Sequence, residues 1–218
     1  ADDVRDVFGI PADQIDVAFG GYDTSRFFPL PADEIAAFKA RQGLPERFWL
    51  FVGTLEPRKN LPTLIDAYAA LPAHERLPLI LGGGKGWDYE AIFSRIEQHN
   101  LADSIHLPGF LPAEDLPLWY NSAETLVYPS IYEGFGLPVV EAMACGTPVI
   151  VSDASSLPEV AAGAGRLVSP YDNQAWTDAL RSAYQDSAWR AYAAEQGQIK
   201  AATFTWARTA QQTISSYH

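Results

Sequence analysis

The sequence predicts an α/β fold, a doubly wound parallel sheet with additional C-terminal helices, and three observations support this prediction. Short apolar segments alternate with helical segments about six times along the chain. Several of the apolar segments are uninterrupted by polar residues, which is typical of strands buried on both faces of a parallel sheet. Hydrophobic residues make up 48% and charged residues 19% of the 218 residues, which is sufficient for a substantial core.

The first 31 residues are predicted to be a segment that leads into the domain. Residues 2–8 have the pattern of a short helix, which the sequence Gly-Ile-Pro ends. Residues 15–18 are predicted to form a brief strand, and residues 20–29 an irregular connection.

The domain itself is predicted to cover residues 32–200. Its strands are predicted at the apolar runs of residues 48–52, 77–81, 104–107, 124–128, 149–152 and 166–168. Helical patterns occur at residues 32–41, 61–71, 89–99, 113–121, from about 136 to 145, and at 172–185 and 187–200. Asn60 is a candidate N-cap for the second of these helices. Residues 201–218 are predicted to be a terminal segment with a last helix at residues 205–216.

The most distinctive local pattern lies at residues 132–150, where a loop with two glycines, a helix and a Gly-Thr-Pro turn lead into an apolar strand. Gly134 and Gly136 allow the backbone to approach a ligand closely. A helix that begins at about Gly136 directs its free N–H groups toward this loop, which favours an anion or sugar hydroxyls. Glu133 precedes the helix and Glu141 lies within it, with seven residues between them. Taken alone, such a glutamate pair is more often a solvated surface feature.

Further candidate residues lie directly after the ends of predicted strands. Parallel sheets bind ligands at the edge formed by the carboxyl ends of their strands. Arg58, Lys59 and Glu133 are therefore expected to share one face. Arg58 and Lys59 lie between a strand end and a helix start, where side chains and the helix dipole together favour a diphosphate. An exposed basic pair is the alternative interpretation. The glycines at residues 82–84 are predicted either to line the floor of a nucleotide site or to form a tight turn.

Composition and motifs argue against several other functions. A net charge of −12 and a sequence pI near 4.6 argue against nonspecific nucleic-acid binding, which requires a basic surface. Cys145 is the only cysteine, so it forms no intrachain disulfide and is expected to be a packed thiol. The histidines lack metal-ligand spacing, and the sequence has neither a P-loop nor a dinucleotide fingerprint. The sequence also lacks a signal peptide and an apolar run of transmembrane length. Because the sequence begins without methionine, it is expected to be a piece or a processed product.

The run from Glu133 to Val149 resembles the signature of retaining glycosyltransferases of the GT-B fold, specifically glycosyltransferase family 4, or group 1. In that family two glutamates with seven residues between them frame a Gly-Phe-Gly turn. The sequence Gly-Thr-Leu-Glu-Pro-Arg-Lys-Asn at residues 53–60 is similar to a branch rich in mannosyltransferases of polysaccharide assembly. The resemblance extends from about residue 15 to residue 217 and implies the Rossmann-like, C-terminal domain that binds the donor nucleotide. Gly20 and Tyr22 depart from the Asn and Val that are usual in the interdomain turn.

The resemblance also implies roles for individual residues. Glu133 is implied to be the catalytic carboxylate, close to the developing positive charge of the transferred sugar. Glu141 is implied to accept hydrogen bonds from ribose hydroxyls, and Lys59 to bind the diphosphate. Thr54 stands where many relatives have arginine, so Arg58 is expected to supply that charge. The other implied donor contacts are Gly53, Thr54, Gly83, Phe110, Leu111 and the backbone N–H groups of Phe135, Gly136 and Leu137.

The implied function is the nucleotide-sugar-binding half of a retaining glycosyltransferase, which transfers a hexose to a glycan or lipid-linked acceptor. Mannose from GDP-mannose is the favoured donor, and a UDP-linked sugar is the alternative. No metal or other cofactor is implied, which agrees with the lack of an Asp-x-Asp motif in the sequence. The N-terminal acceptor domain of the family is missing, so the chain alone is expected to bind the donor without transferring sugar. The implied location is cytoplasmic, with at most peripheral membrane contact.

Two further hypotheses remain open at this point. A noncatalytic module derived from the GT-B fold would bind without turnover, although retention of Glu133, Glu141 and Lys59 disfavours it. Another GT-B enzyme, such as a sugar-nucleotide epimerase or a phosphorylase, is the third hypothesis, but the lysine motif that holds pyridoxal phosphate in a glycogen-type phosphorylase is not found. A nicotinamide oxidoreductase is disfavoured because Gly53 is the only glycine at its strand end.

Overall fold

The computed structural model describes residues 2–217 and has the predicted α/β fold. Its strands are β1 (Trp49–Val52), β2 (Leu79–Gly82), β3 (Ile105–Gly109), β4 (Thr125–Tyr128), β5 (Val149–Ser152) and β6 (Arg166–Val168). Within the described residues these six strands form one parallel sheet in the order β3-β2-β1-β4-β5-β6. The doubly wound parallel sheet predicted from the sequence is thereby confirmed.

Helices cover both faces of this sheet. In chain order they are α1 (Asp2–Phe8), α2 (Ala32–Gln42), α3 (Leu61–Ala69), α4 (Glu90–Gln98), α5 (Leu116–Ser122), α6 (Leu137–Ala144), α7 (Leu157–Ala161), α8 (Asn173–Gln185), α9 (Ser187–Ala201) and α10 (Trp206–Ser216). Helix α3 packs against α4 and α8, whereas α6 packs against α5, α7 and α9. Each group buries one face of the sheet, which explains why the four inner strands, β1, β2, β4 and β5, are buried at every position.

The two central strands, β1 and β4, carry several of the largest fully buried side chains. Trp49 and Phe51 of β1 are completely buried. The Phe51 ring stacks on that of Tyr128 with centroids 5.5 Å apart, and Trp49 meets the edge of Tyr68 at 6.0 Å. Burial of each such side chain contributes roughly 1.5–3 kcal/mol relative to exposure, so these strands fix the centre of the domain.

The order of the strands reverses between β1 and β4, and this creates a crevice at their carboxyl ends. From β1 the chain continues outward to β2 and β3, and from β4 it continues in the opposite direction to β5 and β6. The loops that leave β1 and β4 are joined by a hydrogen bond from the Ile131 N–H to the Arg58 carbonyl, 2.9 Å long. Doubly wound sheets bind ligands at such a switch point, so these two loops are where a site is expected.

Several local predictions are wrong. Residues 15–18 form no strand, because no neighbouring strand pairs with them, and Val17 is exposed. The predicted helix at residues 113–121 is divided into a 3-10 turn, Ala113–Asp115, and α5. Asn60 directly precedes α3, but its side chain does not cap the helix. Its amide donates instead to the carbonyls of Pro129 and Pro170, at 3.3 and 2.8 Å, and so ties three loops together.

The predicted entry and terminal segments lie against each other. The Tyr22 N–H donates to the Phe204 carbonyl at 3.2 Å, and Thr209 of α10 donates to the Phe19 carbonyl at 2.6 Å. An added Cβ on Gly21 would overlap the backbone of Trp206, so the close approach requires glycine at this position. None of the helices in residues 2–217 is both long and apolar enough to cross a membrane.

Candidate functional site

The loops at the switch point bring Arg58, Lys59 and Glu133 together, as predicted from their positions after strand ends. Lys59 ends a 3-10 turn after β1, and Glu133 lies in the loop after β4. The Lys59 Nζ is 2.6 Å from Glu133 Oε1, and the Arg58 Nη1 is 2.9 Å from Glu133 Oε2. Lys59 also donates to the Tyr128 hydroxyl at 2.7 Å. Each oxygen of the carboxylate therefore has its own cation.

Burial makes this group electrostatically unusual. The side chains of Lys59 and Glu133 are only 5% and 9% exposed. Burial acts to raise the pKa of Glu133, but the hydrogen bonds and charges of Lys59 and Arg58 outweigh it, and the pKa lies below its ordinary value. Burial also lowers the pKa of Lys59, while the Glu133 carboxylate opposes that shift. Glu133 is consequently ionised at neutral pH and is unsuited to donating a proton.

The cations of this group are already balanced by anions. Arg58 contacts Glu56 at 2.5 Å in addition to Glu133, so two positive side chains face two negative ones. Arg58 is 42% exposed, whereas Lys59 is nearly enclosed. Arg58 is thus the accessible cation, and an arriving anion would have to draw it from Glu56 or use other donors.

Such donors are present at the start of α6. Gly136 has a left-handed backbone, with φ at 103°, and the N–H groups of Phe135, Gly136 and Leu137 donate no hydrogen bond within residues 2–217. The Phe135 ring turns away and packs against Phe204 at 5.4 Å. The backbone N–H groups of this turn are therefore free to donate to a ligand.

Two serines that follow β5 hold the loop bearing Glu133. The Ser155 hydroxyl donates to the Glu133 carbonyl at 2.7 Å and accepts from its N–H at 3.2 Å. The Ser156 hydroxyl lies 3.0 Å from the carbonyls of both Glu133 and Phe135. Ser155 has φ at 56°, a left-handed conformation that is uncommon for serine. A cleft of about 330 Å³ opens beside these residues and is closed on its other side by residues 17–20.

Glu141 lies on α6 and has different partners from Glu133. Its Oε2 accepts a 2.9 Å hydrogen bond from the Tyr120 hydroxyl of α5. Burial raises the pKa of Glu141 to about 7, while the Tyr120 hydrogen bond and the Arg26 charge act in the opposite direction. The two glutamates of the motif are therefore in different states: Glu133 is firmly ionised, and Glu141 titrates near neutrality.

The remaining predicted contacts lie at the ends of β1, β2 and β3. Gly53 and Gly83 pack so closely that an added Cβ on Gly83 would overlap the Gly53 carbonyl, whereas a Cβ on Gly84 would meet nothing within 4 Å. Phe110 is 77% exposed, while Leu111 is buried against Gly82. Thr54 lies between these strand ends, and its methyl group approaches Gly86. Of the two interpretations of the glycine turn, close packing is the one that this geometry supports for Gly83.

Among the residues at this edge that were not singled out from the sequence are Tyr120, Tyr128, Ser155 and Arg26. Tyr128 could have been suspected, because it ends the strand before the glutamate loop. The other three act through contacts between distant parts of the chain, for which the sequence has no local signal. Within residues 2–217 no group of three or more His, Cys, Asp or Glu side chains is arranged to hold a metal. Cys145 is buried, as predicted, and burial raises the pKa of its thiol to about 12.

The chain is similar to a known protein family, to known proteins and to solved structures. The profile of the family described as glycosyl transferases group 1 matches residues 33–200. The O-antigen chain mannosyltransferase B of Escherichia coli is 40% identical over 214 residues, which are 97% of this chain and 56% of that protein. Sucrose-phosphate synthase from Thermosynechococcus elongatus has a TM-score of 0.80 and 32% identity over 91% of this chain and 50% of its own.

A third similarity comes from a structure with a bound ligand. HepE of Anabaena, solved in complex with UDP-glucose, has a TM-score of 0.85 and 25% identity over 95% of this chain and 59% of its own. The chain spans about half the length of these relatives.

Proposed function

Because the chain belongs to the group 1 glycosyl transferase family, we propose that it is the donor-binding half of a retaining mannosyltransferase that uses GDP-mannose. The observation that carries the proposal is the buried Lys59–Glu133–Arg58 group at the switch point of the sheet. The similarity to an O-antigen mannosyltransferase favours mannose, and through it GDP, over the UDP-glucose bound to HepE. The acceptor is a growing glycan or a lipid-linked sugar.

The proposed roles follow from the charges of the site. When the bond from the sugar to the diphosphate breaks, positive charge develops on the sugar and negative charge on the leaving group. Glu133, which is ionised at neutral pH, stabilises the positive charge on the sugar and takes no part in proton transfer. The negative charge on the leaving diphosphate is stabilised by Lys59, Arg58 and the N–H groups at the start of α6. Lys59 has three N–H donors and uses two on Glu133 and Tyr128, which leaves one for a phosphate oxygen.

Metal-independent binding is part of the proposal. Arg58 and Lys59 balance the charges of Glu56 and Glu133, so this group of four side chains carries no net negative charge that would hold a cation in place. The N-terminus of α6 and the exposed Arg58 supply the positive potential that a metal cation would otherwise supply. Sugar transfer further requires an acceptor-binding domain, and we propose that the chain alone binds the donor and does not transfer sugar.

Calorimetric titration with GDP, GDP-mannose, UDP and UDP-glucose, with and without magnesium, tests the proposal. We expect GDP and GDP-mannose to bind at least about tenfold more tightly than the uridine ligands, which corresponds to about 1.4 kcal/mol. The affinity should not depend on magnesium. Tighter binding of UDP would refute the assignment of the base, and binding that requires magnesium would refute metal independence.

Replacement of Glu141 by alanine is expected to weaken binding of the preferred nucleotide about tenfold or more. The reason is that hydrogen bonds to a charged acceptor contribute about 1.5–3 kcal/mol, and ribose hydroxyls would lose theirs. Glu97→Ala, which removes an exposed glutamate of α4, is the matched control and should leave the affinity unchanged. Equal affinities for Glu141→Ala and the parent chain would contradict the ribose-binding role.

A second candidate is a noncatalytic module, and the pairing of Lys59 and Arg58 with carboxylates of the chain itself favours it. In that case the buried ion pairs would serve only the packing of the two loops. Absence of binding to all four nucleotides would support this second function and exclude the first for the chain as it stands.

A further inference from the structure

The side chain of Glu141 is held at one oxygen and open at the other. Tyr120 donates to Oε2 at 2.9 Å, and Oε1 accepts no hydrogen bond from any residue between 2 and 217. Glu141 is only partly buried, so this second oxygen is free to accept hydrogen bonds from a ligand. Ribose hydroxyls donate such bonds under the function proposed above, on which this inference rests.

Tyr120 is itself firmly fixed. It is completely buried, its ring packs against Phe27 at 6.0 Å, and its carbonyl accepts a 2.7 Å hydrogen bond from the Thr147 hydroxyl. Phe27 belongs to the entry segment and Thr147 follows α6. The hydroxyl of Tyr120 therefore points at Glu141 from a position that three separate parts of the chain determine.

We propose that Tyr120 is a positioning residue for the donor ribose, because its hydroxyl fixes one oxygen of Glu141 and so aims the other at the ribose hydroxyls. A free carboxylate would rotate about its terminal torsion, which is broad and roughly two-fold. The hydrogen bond from a rigid donor removes that freedom before the ligand arrives. Preorganisation of this kind increases affinity by reducing the cost of ordering the side chain on binding.

The charges around Glu141 support a pH-dependent test. Groups that face it are Tyr120 of α5, Cys145 after α6 and Arg26 of the entry segment. The Tyr120 hydrogen bond acts to lower the pKa of Glu141, so loss of the hydroxyl should move the midpoint of its titration from near 7 to a higher pH.

The experiment uses Tyr120→Phe and two nucleotides, GDP and 2′,3′-dideoxy-GDP, or the corresponding uridine pair if UDP is the tighter ligand. The ratio of the affinity for the nucleotide to the affinity for its dideoxy analogue measures the contribution of the ribose hydroxyls. Effects that the two ligands share, such as titration of the phosphate and general changes of the site, cancel in this ratio. We expect this ratio to fall about fivefold or more at pH 7 in Tyr120→Phe. The pH at which the ratio is half-maximal should rise as well.

Two controls separate positioning from packing. Tyr68→Phe removes another buried hydroxyl, that of a tyrosine on α3 which donates to the Leu77 carbonyl, and should leave the ratio unchanged. In a Glu141→Gln background, Tyr120→Phe should have no further effect on the ratio, because its route to the ribose is gone. An unchanged ratio and midpoint in Tyr120→Phe, or an equal effect in both backgrounds, would overturn the inference. A failure of the parent chain to bind either nucleotide would instead refute the proposed function.

Discussion

Replacement of Lys59 by methionine is expected to lower the free energy of unfolding by about 3–5 kcal/mol at pH 7, the usual cost of removing one partner of a buried ion pair. Lys59 and Glu133 lie 2.6 Å apart with little exposure. Methionine keeps most of the length and apolar volume of lysine, so the loss is electrostatic rather than a cavity. Thermal and urea unfolding, followed by circular dichroism, measure the change.

The pH dependence of this loss identifies its cause. In the parent chain the pKa of Glu133 is lowered on folding, so its contribution to stability is present above the unfolded pKa and is lost as pH falls through the folded pKa. Without Lys59, burial acts on Glu133 with the half-exposed Arg58 as the remaining cation to oppose it, and the pKa of Glu133 should rise. The variant then takes up a proton in the folded state as pH falls. The difference in stability between the two proteins should therefore shrink between pH 7 and pH 4.

A double substitution completes the test. In Lys59→Met with Glu133→Gln, neither member of this buried pair carries a charge, so most of the lost stability should return. If the double variant is as unstable as Lys59→Met, the unpaired carboxylate is not the cause. A difference from the parent chain that stays constant from pH 7 to pH 4 would contradict the explanation as well.

The parts of the structure that the sequence predicts correctly are those that depend on local pattern. The strand at residues 149–152 has the predicted bounds, because both of its faces are buried and its residues are apolar up to the terminal Ser152. The same holds for the turn at Phe135 and Gly136, whose glycine is required by a positive φ. That Arg58, Lys59 and Glu133 meet follows from topology, since strand ends of a parallel sheet share an edge.

The parts that were missed depend on contacts between distant residues. The hydroxyl of Tyr120 reaches Glu141, and that of Ser155 holds Glu133, across 21 and 22 positions of the chain. A buried tyrosine in a short helix has the same local pattern whether or not it meets a carboxylate. Nor does the sequence indicate that Lys59 is enclosed while Arg58 is accessible, because neighbouring residues in a 3-10 turn point in different directions. The residue roles taken from the resemblance stay predictions until the titrations are done.

Replacement of Gly83 by alanine is expected to destabilise the domain by about 3 kcal/mol, the upper range for a group forced into a packed interior. An added Cβ would overlap the carbonyl oxygen of Gly53. That carbonyl belongs to backbone at the end of β1 and has no rotamer with which to move aside. The Gly53 N–H donates to the Gly82 carbonyl at 2.9 Å, and the Gly83 N–H donates to the Gly109 carbonyl at 2.8 Å, so a shift at Gly83 would also disturb the ends of β1, β2 and β3.

Gly84→Ala is the matched control, because a Cβ on the next residue meets nothing within 4 Å. Its free energy of unfolding should change by less than about 0.5 kcal/mol, as expected for a substitution away from packed features. The comparison decides between the two interpretations of the glycine turn. If Gly83→Ala is as stable as Gly84→Ala and loses only nucleotide affinity, the turn serves the ligand. If stability falls as expected, glycine at 83 is there because β1 and β2 approach each other too closely for any side chain.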